Sequence, residues 1–164
     1  MNKIIYIIVV MMLIGLVTLS DAAVKNGEEK TYFKTGELSK VENFKEGFRD
    51  GLAQRYYVSG QLMAEITFMR GKRVGTAHEY HQSGQMFLKA EYKNGVRHGK
   101  YNKFYIDGGP LLEAEFDEGH EIGIARRYYN TGQVHVEVEY DYGEVVSRHK
   151  YNKDGTVEKA KNKE

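Results

Sequence analysis

Apolar and polar residues alternate in short runs along most of the chain after residue 30. Residues 85–92 illustrate the pattern, with Met86, Leu88 and Ala90 at every second position. A period of two is typical of strands that bury one face, and no run is long enough to display the helical period of about 3.6 residues. The pattern therefore predicts an all-β chain of short strands.

The same pattern recurs with a fixed period of 24 residues. Three series of glycines keep this spacing, and aromatic residues follow it at equivalent places. The first series is Gly36, Gly60, Gly84, Gly108 and Gly132, the second is Gly47, Gly71, Gly95, Gly119 and Gly143, and the third is Gly51, Gly75, Gly99 and Gly123. Fixed periods of roughly 20 to 50 residues are typical of arrays in which each unit buries its apolar face against its neighbours.

Each unit contains two strand-like runs and two turns. In the third unit the runs are residues 76–81 and 85–92, and the second turn is Asn94-Gly95. Asn-Gly between alternating runs is the strongest short signal of a β-hairpin. We therefore expect a single-domain array of stacked antiparallel β-hairpins, arranged as a repeat solenoid or a curved meander sheet.

The even positions of the second run predict the buried face. Offsets are counted from the first-series glycine of each unit, negative before it and positive after it. Offsets +2, +4 and +6 are mostly apolar, as Leu62, Ala64 and Ile66 show, and offset +8 is always Phe or Tyr. The aromatic residues at offset −4 are predicted to join this face. They are Tyr32, Tyr56, Tyr80, Phe104 and Tyr128.

Opposite charges at offsets −5 and +5 predict which residues face each other across a hairpin. The second unit has Arg55 and Glu65 there, and the third unit has the reversed pair Glu79 and Lys89. Facing residues of opposite charge stabilise a strand pair. The charges thus predict a register centred on the glycine, with Arg55 opposite Glu65. A left-handed glycine that closes the turn would instead shift the pairing by about two residues.

Two rows at odd offsets are candidates for a binding surface on the face away from the predicted core. Offset −3 carries the aromatic row Phe33, Tyr57, His81, Tyr105 and Tyr129. Offset +7 carries the acidic row Glu91, Glu115 and Glu139. Tyrosine offers a large contact area and a polar tip, which favours a tyrosine-rich, acid-rimmed surface that binds a protein. The alternative is ordinary cross-strand packing beside a solvated row of glutamates.

The N-terminal segment has the features of an export signal. Lys3 precedes an apolar run over residues 4–19, and Ser20-Asp21-Ala22 places small residues where signal peptides are cut. The run is shorter than the roughly 20 residues that comfortably span a bilayer. We expect residues 1–22 to form a signal-peptide helix that is cleaved or, if it is not cleaved, anchors the chain in a membrane. Either outcome exports the remainder, to the periplasm or the medium.

The rest of the chain divides into three segments. Residues 23–30 are predicted to be a polar lead-in, residues 31–158 the β-hairpin repeat domain, and residues 159–164 a charged tail.

Composition and motifs argue against several classes of function. A formal net charge of +1 gives no basic surface for nucleic acid, and the lack of cysteine removes thiol nucleophiles and thiolate metal sites. The sequence has no phosphate-binding loop and no nucleophile elbow. His78 and His81 lie three positions apart, so on a strand they point to opposite faces. We therefore predict no catalytic residue, no cofactor and no metal site.

The repeated motif resembles the MORN-repeat variant of the YwqK family of bacterial antitoxins. The motif reads Tyr-Tyr-x-x-Gly-x-Leu over residues 56–62 and Asn-Gly-x-x-x-Gly over residues 94–99. The resemblance covers roughly residues 31–155. It implies a β-hairpin array that binds another protein, with the neutralisation of a toxin as one such role.

These observations predict an exported, non-enzymatic protein-interaction scaffold whose partner is a toxin or an envelope protein. An antitoxin or immunity protein is one alternative. A binding module attached to the membrane or the cell wall is another, because an uncleaved N-terminal segment would tether the array and exposed aromatic rows also stack on sugars.

Overall fold

The computed structural model of the protein describes residues 24–158, which fold as strands and turns. The predicted all-β array is confirmed for this range, whereas the predicted signal helix and charged tail lie outside the described residues. The strands are β1 (Gly27–Tyr32), β2 (Leu38–Lys45), β3 (Phe48–Arg49), β4 (Gly51–Tyr56), β5 (Leu62–Met69), β6 (Lys72–Tyr80), β7 (Met86–Lys93), β8 (Val96–Phe104), β9 (Pro110–Asp117), β10 (His120–Tyr128), β11 (Val134–Asp141) and β12 (Glu144–Lys150).

All of these strands belong to one open antiparallel sheet. β1, β2 and β4 to β12 follow one another across the sheet in chain order, and β3 pairs with the end of β2. Neighbours in sequence are therefore neighbours in space, as a repeated hairpin requires. Residues 27–30, which were predicted as part of the lead-in, already belong to β1. No helix within residues 24–158 is long and apolar enough to cross a membrane.

The second turn of each unit is a two-residue loop in which both residues have positive φ. Asn94 has a φ of 53° and Gly95 a φ of 96°, as in the type I′ turn, whose twist matches that of the paired strands. The N–H of Gly95 also donates to the carbonyl of Arg73 at 2.9 Å, and the other glycines of this series make the equivalent bond. Each turn therefore closes its own hairpin and also fixes it to the preceding one.

The hairpin register differs by one residue from the predicted pairing of Arg55 with Glu65. Arg55 lies opposite Ala64, and Gln54 faces Glu65. The alternative register, shifted by two residues, is found only beside the turn. There Tyr56 lies opposite Leu62.

The first turn of the unit causes this difference. The N–H of Gly60 donates to the carbonyl of Tyr57, and the N–H of Tyr57 donates to the carbonyl of Gln61, both at 2.9 Å. Met63 is then an extra residue between the paired positions of β5, which makes it a β-bulge. The turn and the bulge together offset the two strands by an odd number of residues.

A one-residue offset moves every side chain of one strand to the other face of the sheet. In the first strand of each hairpin, the odd offsets therefore share the buried face with the even offsets of the second strand. This core face has at its centre Ala53, Phe68, Ala77, Leu88, Ala90, Tyr101, Ala114 and Phe116. Its tightest cluster surrounds the fully buried Ala90, where Leu88, Tyr101 and Phe116 meet.

The aromatic residues at offset −4 consequently lie on the opposite face, and their predicted place in the core is wrong. Tyr128 Oη donates to Glu113 Oε2 at 2.6 Å, and Tyr80 makes the corresponding contact with Glu65 at 3.5 Å. Partial burial and the adjacent carboxylate raise the pKa of Tyr128 to about 12, because loss of its proton would place two negative charges side by side. These tyrosines connect successive hairpins on the opposite face.

Candidate interaction groove

A groove of about 260 Å³ crosses the N-terminal half of the core face. Its floor includes Ala53 on β4, Ala64 on β5 and Ala77 on β6. Alanine leaves open the space that a larger core side chain would fill, so this floor lies below the side chains around it. The groove therefore results from small residues at neighbouring places of successive strands.

Cations cover the aromatic rings at offset +8, and two of these pairs line the groove. The two pairs in the groove are Arg49 over Phe68 at 5.2 Å and Arg73 over Tyr92 at 5.4 Å, measured to the ring centroids. Beyond the groove, Lys25 lies over Phe44 at 4.0 Å and Arg97 over Phe116 at 5.1 Å. These four cations, here called the cation row, all occupy offset −11. Their 24-residue period is visible in the sequence, although the glycine and aromatic series alone do not reveal it.

Charges along the groove are only partly compensated. Glu42, which is 7% exposed, contacts Lys40 Nζ at 2.6 Å and Arg49 Nε at 2.8 Å, so its buried charge is paired. Arg55 and Arg73 also line the groove, and neither forms a salt bridge within the part of the chain that the structure describes. Glu79, which faces Ala64 across the strands, also lines the groove. Positive charge with free hydrogen-bond donors therefore lies beside the apolar floor, together with one carboxylate.

One repeat further along the chain, larger side chains fill the space that corresponds to the groove. Tyr101 occupies the offset that holds Ala53 and Ala77 in the two preceding units, and Leu88 occupies the offset of Ala64. The ring of Tyr101 meets that of Phe116 edge to face, with centroids 5.6 Å apart. The same face is thus open in the N-terminal units and packed in the central ones.

The aromatic row predicted as a binding surface lies along the margin of the core face rather than on the face away from it. The ring of His81 meets that of Phe87 at 5.1 Å, and Phe87 packs against the core cluster. The ring of Tyr129 stacks on His135 at 4.2 Å. Phe33, at the N-terminal end of the row, lines a small depression beside the groove.

The tyrosines of this row connect successive repeats. Their hydroxyls donate to main-chain carbonyls of the next unit. The bonds run from Tyr57 to Tyr80 at 2.7 Å, from Tyr105 to Tyr128 at 2.8 Å and from Tyr129 to Tyr151 at 3.0 Å. Packing is thus a demonstrated role of the row, whereas binding stays a prediction. His81 has no hydroxyl for this bond, and its buried Nε2 has no hydrogen-bond partner among the described residues.

Replacing His81 with tyrosine is expected to raise the free energy of unfolding by about 1 kcal/mol relative to His81→Phe, the net value of a typical hydrogen bond. The new hydroxyl would reach the carbonyl of Phe104, which is equivalent to the acceptors used by Tyr57 and Tyr105. Urea unfolding of both variants measures the difference. If the tyrosine variant is no more stable than the phenylalanine variant, the hydroxyl bonds do not hold the repeats together.

The acidic candidates Glu91, Glu115 and Glu139 lie on the opposite face, so the structure does not bring them together with the aromatic row. Glu91 Oε2 accepts the N–H of Lys100 at 3.2 Å, and Glu139 Oε2 accepts the hydroxyl of Ser147 at 3.1 Å. Both bonds reach the next strand of the sheet. A binding role for these glutamates also stays a prediction.

No group of three His, Asp or Glu side chains within residues 24–158 could hold a metal ion. His78 Nδ1 lies 3.3 Å from Glu65, which makes it a member of the polar network on the opposite face.

Comparison with known proteins identifies the repeat. A family model described as MORN repeat variant matches residues 25–46, 49–69, 73–94 and 121–142. No curated protein sequence matches the chain.

Solved structures give a distant likeness. One is a mutant of S. aureus TarM in complex with Fondaparinux, alpha-GlcNAc-glycerol and UDP, with 14% identity, a TM-score of 0.39 and coverage of 91% of this chain. Another structure of TarM has 16% identity, a TM-score of 0.36 and coverage of 84% of this chain. The chain spans 24% and 22% of the length of these two proteins, respectively.

Proposed function

The chain belongs to the MORN repeat variant family, and from this premise we propose that it is an exported, non-enzymatic scaffold that binds another protein through the groove on its core face. Repeats of this kind present one extended surface built from equivalent positions. A binding role is therefore consistent with the family, and the groove supplies a surface for it.

The observation that carries this proposal is the combination of an open alanine floor with a cation-covered aromatic wall. Aromatic and arginine side chains contribute most to binding energy at protein interfaces, particularly where they surround a pocket that excludes water. Here Arg49 on Phe68 and Arg73 on Tyr92 border Ala64 and Ile66. The stacked arginines are held in place before a partner arrives, which reduces the entropy lost on binding.

Export is the part of the proposal that rests on the N-terminal sequence. Lys3, the apolar run over residues 4–19 and the small residues before Ala23 support a signal peptide. The partner would then be a protein of the envelope or the medium. Neutralisation of a toxin is the narrower form of this role, supported by the likeness of the motif to the antitoxin family.

The test is a double variant, Ala64→Leu with Ala77→Tyr. It fills the groove with the residue types that Leu88 and Tyr101 place at the equivalent positions of the next repeat. Because the chain already accommodates this pair in the equivalent place, we expect the variant to fold with an unchanged or higher urea midpoint. Affinity capture from the envelope of the native host, with and without muramidase digestion, should then lose the partner protein that the wild-type chain retains. Ala64→Leu alone serves as a milder variant if the double variant does not fold.

The outcomes separate the proposed role from its alternatives. A protein captured by the wild-type chain and lost from the groove-filled variant supports the proposal, and its identity decides whether the partner is a toxin. Capture that disappears after muramidase digestion points to the cell wall, and capture that requires intact membrane points to a lipid surface. Equal capture of the same protein by both variants would place binding away from the groove.

A further inference from the structure

The cation row has a regular geometry that the groove alone does not explain. Its members recur at one offset in four successive units. Arg49 lies on β3, Arg73 on β6 and Arg97 on β8, whereas Lys25 lies two residues before β1. One strand lies between each member and the next, which makes two inter-strand spacings of about 4.8 Å, so the cations are spaced by about 10 Å. The row therefore runs across the strands, along the long direction of the array.

The arginines of the row keep their hydrogen-bonding edges available. Stacking on a ring covers one flat side of a guanidinium, whereas its N–H donors point outward in the plane of the group. Arg73 and Arg97 are exposed, and within residues 24–158 neither one is paired with a carboxylate. Arg49 gives one N–H to Glu42, and its side chain stays 48% exposed. The arginines of the row thus present charged donors that are oriented by the rings beneath them, while Lys25 at the end of the row lies 3.6 Å from Glu29 Oε2.

We propose that the groove and the cation row bind an extended acidic segment of a partner protein, which lies across the strands and presents a carboxylate at every third residue. An extended chain advances about 3.3 Å per residue, so its residues i and i+3 are about 10 Å apart, like the cations. Arginine binds carboxylates in a planar, bidentate manner that favours this partner over a neutral one. The alanine floor leaves room for the intervening residues of the segment. This inference rests on the proposed function and narrows it to one chemical class of partner.

The row also has a defined end. Offset −11 of the fifth unit is Glu121, which lies 19 residues before Tyr140 as Arg97 lies 19 residues before Phe116. A carboxylate there would repel an acidic segment. The bound stretch should therefore cover the four cations from Lys25 to Arg97, a distance of about 30 Å, or roughly ten residues of extended chain.

Three synthetic peptides test the spacing against the full chain. One is (Glu-Gly-Ser)₃-Glu, with four glutamates three residues apart, the second has the same composition with its glutamates contiguous, and the third has lysine in place of glutamate. Fluorescence anisotropy at low salt should show the spaced acidic peptide binding at least about tenfold more tightly than the contiguous one, a difference of about 1.4 kcal/mol. The lysine peptide should not bind. Raising the salt concentration should weaken binding, because the contacts are between exposed charges.

Substitutions in the row test its role directly. Arg73→Gln with Arg97→Gln should weaken binding of the spaced peptide by about tenfold or more. Arg148→Gln, which removes an exposed arginine of β12 outside the row, should leave the affinity unchanged. Glu121→Arg extends the row, and it should tighten binding of a 13-residue peptide with a fifth glutamate while leaving the affinity for the ten-residue peptide the same.

Several results would overturn the proposal. They are equal affinity for the spaced and the contiguous peptide, no binding of either at low salt, or no effect of the two arginine substitutions. Arginine-dependent binding to phosphatidylglycerol vesicles without binding of the spaced peptide would assign the row to a membrane surface instead. If the peptides fail while the groove-filled variant still loses its protein partner, the scaffold role stands and only the acidic character of the partner is wrong.

Discussion

Replacing Phe116 with alanine is expected to lower the free energy of unfolding by about 3–5 kcal/mol, as for other buried aromatic side chains. Phe116 is 5% exposed, and its ring packs edge to face against Tyr101 beneath the Arg97 guanidinium. The substitution opens a cavity in the tightest cluster of the core face and removes the ring on which Arg97 stacks. Urea unfolding followed by far-ultraviolet circular dichroism measures the loss.

Tyr32→Ala is the matched control for this prediction. Tyr32 is also an aromatic residue of a strand, but it is 57% exposed at the edge of the sheet. A surface substitution of this kind usually changes stability by less than about 0.5 kcal/mol. Equal losses for Phe116→Ala and Tyr32→Ala would show that the cluster around Ala90 is not the core.

The turns and the repeat were predictable because each depends on local chemistry. Asn94-Gly95 adopts positive φ at both residues, as asparagine and glycine do most readily, so the sequence marks this hairpin by itself. The equivalent turns have Glu46, Arg70, Glu118 or Tyr142 in place of the asparagine. The 24-residue spacing of the glycines then places every hairpin. The all-β class, the antiparallel order of the strands and the buried even offsets of each second strand follow from these two observations.

In the fifth unit, charge pairing did not decide the hairpin register, because neighbouring residues offered equivalent partners. Arg126 and Arg127 are adjacent, and either could in principle pair with Glu137. The structure pairs Arg126, whose Nε lies 2.8 Å from Glu137 Oε2. The one-residue bulge after the first turn decides between them, and a bulge has no distinct sequence pattern here.

This one-residue difference in register also explains why the aromatic and acidic rows do not share one face, as the sequence had predicted. The observed register exchanges the two faces of the first strand of each hairpin relative to the prediction. Tyr57 and its equivalents therefore lie at the margin of the core face, and Tyr80 and its equivalents lie on the opposite face. The acidic row stays on the opposite face, so the two rows separate. The groove was even harder to predict, because it depends on a small residue, Ala77, at the position that Tyr101 occupies in the next repeat.

Deleting residues 73–96 is expected to give a folded protein that is one hairpin shorter. The deletion joins Lys72 to Arg97 and removes one 24-residue unit. The side chains of the remaining strands keep their alternation between the two faces. The N–H of Gly119 still donates to the carbonyl of Arg97. Stability in an array is approximately a sum over repeats and their interfaces, so both the unfolding free energy and its urea dependence should fall. Circular dichroism should retain the β signature and a cooperative transition.

Deleting residues 73–95 instead leaves one extra residue at the same junction and should be far more damaging. A shift of one residue turns β8 over relative to β5, which would direct Tyr101 away from the face that carries Phe68 and place polar side chains in the core face. We expect this variant to lose its cooperative transition or to unfold at a much lower urea concentration, although it retains more of the chain. If the two deletion variants were equally stable, the bulged turns would be able to absorb a one-residue error, and the repeat period would not be what specifies the two faces of the sheet.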